Sequence, residues 1–167
     1  MSVAFRRDSD EEHLEPKFEL PIPAGSNLVT VRGLALIEQR VADLESELRI
    51  ADETSAAAIK RDLRYWQTRE STAQLAPVPT GDKVEFGVRV SINLNGKPKA
   101  FVLVGDDEAD PSTGMISFKA PLSQAMLEAE VGETLPFGGN EEALEIVRIE
   151  VPPDLFDATQ EPGEVRE

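Results

Sequence analysis

The sequence predicts an α+β protein: an N-terminal antiparallel two-helix hairpin, a short coiled coil, followed by an antiparallel sheet carrying one helix. Three observations predict it. Between Gly33 and Leu75 the apolar residues recur at steps of three and four, the period of a helix face. From Lys83 onward they alternate, the period of a half-buried strand. Between the two periods lies the proline-rich segment Pro77-Val78-Pro79-Thr80-Gly81-Asp82, which reads as a linker.

Residues 1–32 are polar, dotted with proline and aperiodic, and they read as an extended or disordered arm. Phe18, Leu20, Ile22 and Leu28, with Pro21 and Pro23, are its means of lying against a folded body. The hairpin spans 33–76. Its first helix runs from Gly33 to Ile50, with Leu34, Ile37, Val41, Leu44 and Leu48 forming a heptad seam. The second runs from about Ser55 to Leu75, where Ile59, Leu63, Trp66 and Ala73 keep the spacing and Glu70 fills one seam slot. The short connection Ala51–Thr54 favours antiparallel neighbours, and Thr54 or Ser55 is suited to cap the second helix. Arms of this length predict a hairpin about 25 Å long.

The second domain spans 83–151. Val84, Phe86, Val88, Val90 and Ile92 mark its first strand, Asn95-Gly96 a tight hairpin turn, and Phe101–Val104 the strand that returns. An acidic turn, Asp106 to Asp110, precedes the strand Met115–Phe118. Pro121 then suits the first position of a helix, whose apolar face is Leu122, Ala125, Met126 and Ala129, with Gly132 closing it. Thr134–Phe137 and Ala143–Val151 complete the sheet. Residues 152–167 read as a mobile tail with Leu155 and Phe156 as its anchor.

The chain has 167 residues, a net charge of −15 and no cysteine, so neither a disulfide framework nor a thiolate metal site is expected. No apolar run reaches membrane-spanning length, and the charged start MSVAFRRDSDEEH is unlike a signal peptide. The expected location is the cytoplasm. A polyanion gains nothing from counterion release on DNA, so nucleic acid is expected only indirectly, through another protein. Residues 77–167 hold 18 acids against 7 bases, whereas 33–76 hold 8 against 6, so the second domain is the acidic one. Its charge suits solubility or steering towards a basic protein surface.

No arrangement of an autonomous enzyme is present. The single His13 lies in the arm without an acid or nucleophile beside it. Gly138-Gly139 opens no helix and reads as a turn rather than a phosphate cradle. The acidic turn lacks the EF-hand spacing, and a turn needs polar residues in any case. The expectation is no catalytic residue, no cofactor and no metal.

One ordered run carries a resemblance. Val104-Gly105-Asp106-Asp107-Glu108-Ala109-Asp110 is followed by Gly114-Met115-Ile116-Ser117, by Ala120-Pro121, by Leu122-x-x-Ala125-Met126 and by Val131-Gly132-Glu133; Phe86-Gly87 stands upstream. The run resembles the C-terminal domain of the Gre-type transcription factors, the GreA/GreB family, over roughly residues 83–150, with a looser match over 30–76. The resemblance implies an FKBP-like second domain that grips RNA polymerase at the rim of its secondary channel. It implies docking through the strand-to-helix corner Ile116, Ser117, Phe118, Lys119 and Pro121, on a face shaped by the segment that includes Asp107 and Glu108. Ser117 and Pro121 match the family's corner; Lys119 stands where an acid is common, and Ala120 replaces a serine.

The resemblance also implies a helical hairpin that enters the channel, where acids at its tip help the polymerase hold a metal ion for transcript cleavage. This chain lacks the family's tip signature G-D-(L/R)-S-E-N-A. Asp52 and Glu53 occupy the tip by position, but they are adjacent, and the hairpin is short. In this it resembles short-hairpin relatives such as Rnk. The expected function is therefore a monomeric transcription regulator bound to core RNA polymerase near its secondary channel, without efficient stimulation of transcript cleavage. The alternatives are an acidic adaptor for another basic protein and a cleavage-stimulating Gre factor. The weakest is a prolyl isomerase, because the second domain offers only phenylalanines to wall a pocket.

Overall fold

The computed structural model describes residues 19–157. The expectations for His13, Phe18 and the rest of 1–18, and for 158–167, lie outside the described residues.

The hairpin starts earlier than its apolar period. Helix α1 is Val31–Ile50, because Thr30 holds an extended backbone and its hydroxyl accepts the Gly33 N–H at 2.9 Å. Helix α2 is Glu53–Thr72, and its cap is Asp52, not Thr54 or Ser55. The Asp52 carboxylate accepts the Ser55 N–H at 2.8 Å. A carboxylate at this place satisfies an orphan donor and also favours the positive end of the helix. Two residues, Ala51 and Asp52, therefore separate the helices, and arms of 20 residues give a hairpin about 30 Å long. Val41, Leu44 and Leu63 are buried in the seam, with Leu48, Ile59 and Trp66 packed against them.

The base of the hairpin is tied rather than loose. Strand β1, Leu28–Val29, pairs in parallel with β2, Gln74–Leu75. The end of the expected arm and the last two residues of the expected second helix, which stops at Thr72 rather than Leu75, are thus one two-stranded ribbon.

The larger sheet contains β3 (Arg89–Leu94), β4 (Lys97–Val104), β5 (Met115–Ser117), β6 (Thr134–Phe137) and β7 (Asn140–Glu150), in the order β5-β4-β3-β7-β6. The α+β architecture is as expected, with three local corrections. First, β3 begins at Arg89 rather than Lys83. Val84 is buried, but its N–H and C=O bond to Ala129 and Glu128 at 2.8 Å instead of to a neighbouring strand. Second, β5 runs parallel to β4, pairing Val102 with Met115 and Val104 with Ser117, so the sheet is mixed. A parallel neighbour requires the chain to travel back before it pairs, and the acidic segment 105–114 makes that return. Third, α3 is only Pro121–Met126; Glu128 turns to a positive φ of 70°, and Ala129 is buried outside the helix.

α3 covers one face of the sheet over Val88, Val90, Ile92, Leu103, Leu144 and Ile146. The other face buries Val102, Val104 and Leu155, with Met115 and Phe156 against them. Leu155 and Phe156 thus anchor the start of the C-terminal segment, as their apolar character suggested. No described helix is long and apolar enough to cross a membrane.

Candidate functional site

The corner between β5 and α3 is braced from within. The Phe118 N–H bonds to the Val104 carbonyl at 2.9 Å. Two α3 side chains reach back: the Ser123 hydroxyl donates to the Ser117 carbonyl and the Gln124 amide to the Phe118 carbonyl, both at 2.7 Å. The Phe118 ring meets Phe86 edge-on, with centroids 5.2 Å apart. Ile116, Ser117, Phe118 and Lys119 are half-buried and Pro121 is exposed. The corner offers a fixed backbone with partly exposed side chains.

Asp106 links this corner to the hairpin. Its Oδ1 accepts the Ser117 hydroxyl at 2.8 Å. Its Oδ2 accepts Lys119 Nζ at 2.8 Å and lies 3.4 Å from Nη2 of Arg69, on α2. Burial pushes its carboxyl up, but the bonds from Lys119 and Ser117 and the nearby cations outweigh burial and hold it below its ordinary value. Lys119 therefore has a local partner. Where the resemblance leads one to expect an acid, this chain pairs the ammonium with Asp106 and with the Ala24 carbonyl, at 2.6 Å.

Asp107 and Glu108 point inward to the base of the hairpin. Asp107 accepts Arg69 Nε and the Tyr65 hydroxyl, each at 2.5 Å. Burial, followed by the Asp107 bond, pushes the Tyr65 hydroxyl far above its ordinary value. Arg69 is 1% exposed, and its Nη2 also donates to Asn27 Oδ1 at 2.8 Å. Asn27 returns a bond from Nδ2 to the Arg69 carbonyl at 2.8 Å.

Glu108 accepts the Thr30 hydroxyl at 2.7 Å, and its other oxygen lies 3.9 Å from Arg32 without a hydrogen bond. A Cβ at position 33 would stand 2.9 Å from the Glu108 carboxylate, so glycine there admits the acid. Burial pushes Glu108 above its ordinary value, against the Thr30 bond.

The expected site residues thus separate into three places. Ile116 to Pro121 form one partly exposed corner, Asp107 and Glu108 lie in the buried junction between hairpin and sheet, and Asp52 and Glu53 stand at the far tip. Asp52 is held below its ordinary value by the Ser55 N–H. Sequence reasoning missed Arg69, Asn27, Tyr65 and Thr30. Arg69 follows Trp66 by three positions and falls on the same helix face, which is the one signal that could have marked it. Among the described residues no group of three or more acids and histidines is placed to hold a metal ion.

Comparison with known proteins gives the family. The C-terminal model of the transcription elongation factors GreA/GreB matches residues 79–151. Transcription elongation factor GreA of Desulfovibrio desulfuricans is 32% identical over 130 residues, covering 63% of this chain and 80% of the relative. GreA of Thioalkalivibrio sulfidiphilus is 30% identical over 150 residues, covering 72% and 95%. Among solved structures, GreA factor homolog 1 of Thermus thermophilus aligns over 75% of this chain and 99% of its own at 17% identity, with a TM-score of 0.35 too low to bear on the fold. The two GreA relatives are matched along most of their length: the chain belongs to the GreA/GreB family of transcription elongation factors.

Proposed function

We propose that this chain binds core RNA polymerase near its secondary channel through the Ile116–Pro121 corner and modulates elongation without efficient stimulation of transcript cleavage. Membership of the elongation factor family supports the partner. The braced, partly exposed corner supports the contact: Phe118 and Pro121 are accessible on a backbone fixed by Ser123 and Gln124. Asp107 and Glu108 act behind that contact, by holding the hairpin against the sheet.

The observation that carries the second half of the proposal is the tip. Two residues join the helices, and one of them, Asp52, is committed to capping α2. Assisting a metal ion takes carboxylates with free oxygens at a set distance, and activity falls steeply with misplacement. Glu53 is in the first turn of α2, next to the cap, so the tip offers no spaced pair. The division into a hairpin at 33–76 and a sheet domain at 83–151 is part of this reading, with one part directing and the other gripping. Action on polymerase implies a cytoplasmic site of work, and the chain is proposed to act as a monomer.

Retention on immobilised core RNA polymerase tests the contact. The full chain is expected to be retained, and Pro121→Asp, which changes only an exposed position, is expected to lower affinity about tenfold or more, in keeping with loss of a central contact. Failure of the unaltered chain to bind removes the proposal.

A further inference from the structure

Residues 19–27 run outside the hairpin-and-sheet plan and touch both parts of it. Glu19 pairs with Arg64 on the outer face of α2, with oxygens 2.7–3.0 Å from the guanidinium. The Ala24 carbonyl takes the Lys119 ammonium at 2.6 Å, at the corner. Asn27 is 5% exposed and bonds three ways at the base of α2: from Nδ2 to the Arg69 carbonyl and the Thr72 hydroxyl, and from Arg69 Nη2 to its Oδ1. Its own carbonyl accepts the Gln74 N–H at 2.8 Å, which starts the β1–β2 ribbon. In nine residues the segment reaches one helix at two heights and the sheet domain at a third point. Pro21 and Pro23 restrict the backbone between these ties.

We propose that residues 19–27 form a strap whose role is positional: it fixes the direction of the hairpin relative to the docking corner, with Lys119 as the residue that fastens it. Lys119 is thereby a positioning residue rather than a contact. Its ammonium is satisfied by Asp106 and Ala24, and its side chain is 27% exposed. This accounts for a cation at the corner of a strongly acidic domain. A lysine reaches both the carboxylate of the junction and the carbonyl of the strap, whereas an acid would repel Asp106 and leave the Ala24 carbonyl without this donor. Each exposed tie is individually weak. Their effect is to narrow the range of hairpin angles, because the strap adds a further connection between parts otherwise joined by the covalent linker, the Arg69 junction and the Thr30–Glu108 bond.

The consequence for binding rests on the proposed polymerase contact; the positional claim does not. If the hairpin must point in one direction to enter a channel, affinity scales with the fraction of molecules already so directed. Releasing the strap to leave about a tenth of molecules competent would weaken binding about tenfold.

The chain has no cysteine, so two introduced cysteines are its only spin-labelling sites. Ile50→Cys at the tip, where the native side chain is 88% exposed, and Lys97→Cys at the exposed start of β4 report the hairpin angle by electron–electron distance measurement. The full chain is expected to give one narrow distance distribution. Arg64→Met with Lys119→Met, which releases Glu19 and Ala24 together, is expected to broaden it and, without labels, to weaken binding to core polymerase about tenfold. Lys119→Arg, which keeps a cation for Asp106 and Ala24, is expected to leave the distribution narrow in an otherwise unaltered chain. An unchanged distribution in the double variant overturns the strap. A broadened distribution with unchanged affinity overturns its role in binding. Absence of binding by the unaltered chain, with the distances behaving as stated, overturns the polymerase reading and leaves the strap standing.

Discussion

At the base of the hairpin Arg69 is 1% exposed and bonds side chains from the acidic segment and from the strap. At the tip, on the same helix, Asp52 caps its own first turn and the neighbouring Ile50 is 88% exposed. The two ends hold charge of a similar kind and use it differently. Buried charge must be paired and hydrogen-bonded, so the base specifies a geometry. Exposed charge at the tip is free to serve a helix end and specifies nothing about a distant metal. The hairpin is therefore precise where it leaves the body and plain at its tip.

That contrast is most severely tested by removing Arg69. Arg69→Met leaves Asp106 and Asp107 facing each other without their shared guanidinium, and breaking such a buried pair costs about 3–5 kcal/mol. A fall in Tm of roughly 10 °C is expected by calorimetry, on the usual scale for a chain of this size. A change within a degree or two would mean that the base is not held by this network.

Glu108 sharpens the comparison through pH. The groups facing it are Thr30, Arg32 and Asp154, and burial raises its carboxyl above the ordinary 4.5. A raised acid stabilises the fold when protonated, so its contribution is complete below 4.5 and is lost as pH rises through the folded value. Glu108→Gln, which stays neutral, is expected to gain stability over the unaltered chain across that rise and to match it in acid. Asp106 has the opposite sign. Its lowered carboxyl stabilises the fold above the ordinary 3.8 and loses that contribution as pH falls below it. Chemical denaturation at a series of pH values separates the two.

The smallest effect is expected at the tip. Asp52→Ala with Glu53→Ala removes the α2 cap and is expected to lower Tm by a few degrees. Transcript cleavage in stalled elongation complexes is expected to be the same with the double variant as with the unaltered chain. A large loss of cleavage would make the tip catalytic.

The hairpin was legible in the sequence because its seam residues repeat at a helical period, and nothing but packing decides where Val41, Leu44 and Leu63 go. The Asn95-Gly96 turn was equally legible, since positive φ at both residues, 50° and 81°, is what that dipeptide supplies. The direction of β5 was not. Met115–Ser117 has the same composition whichever way it pairs, and the return of the chain through 105–114 is a tertiary fact. The corner Ile116–Pro121 was found through an ordered motif, but the inward turn of Asp107 and Glu108 was hidden, because an acidic loop reads as a solvated one until Arg69 and Thr30 are seen beneath it. The role of Asp52 as a cap was missed, since Thr54 and Ser55 are equally good capping residues by type.

Competition at core RNA polymerase tests the central claim most directly. With the labelled chain bound, an added GreA protein is expected to displace it completely, and the unlabelled chain is expected to displace labelled GreA in return. Simultaneous retention of both proteins would contradict docking at the shared site, as would a chain that never binds the polymerase.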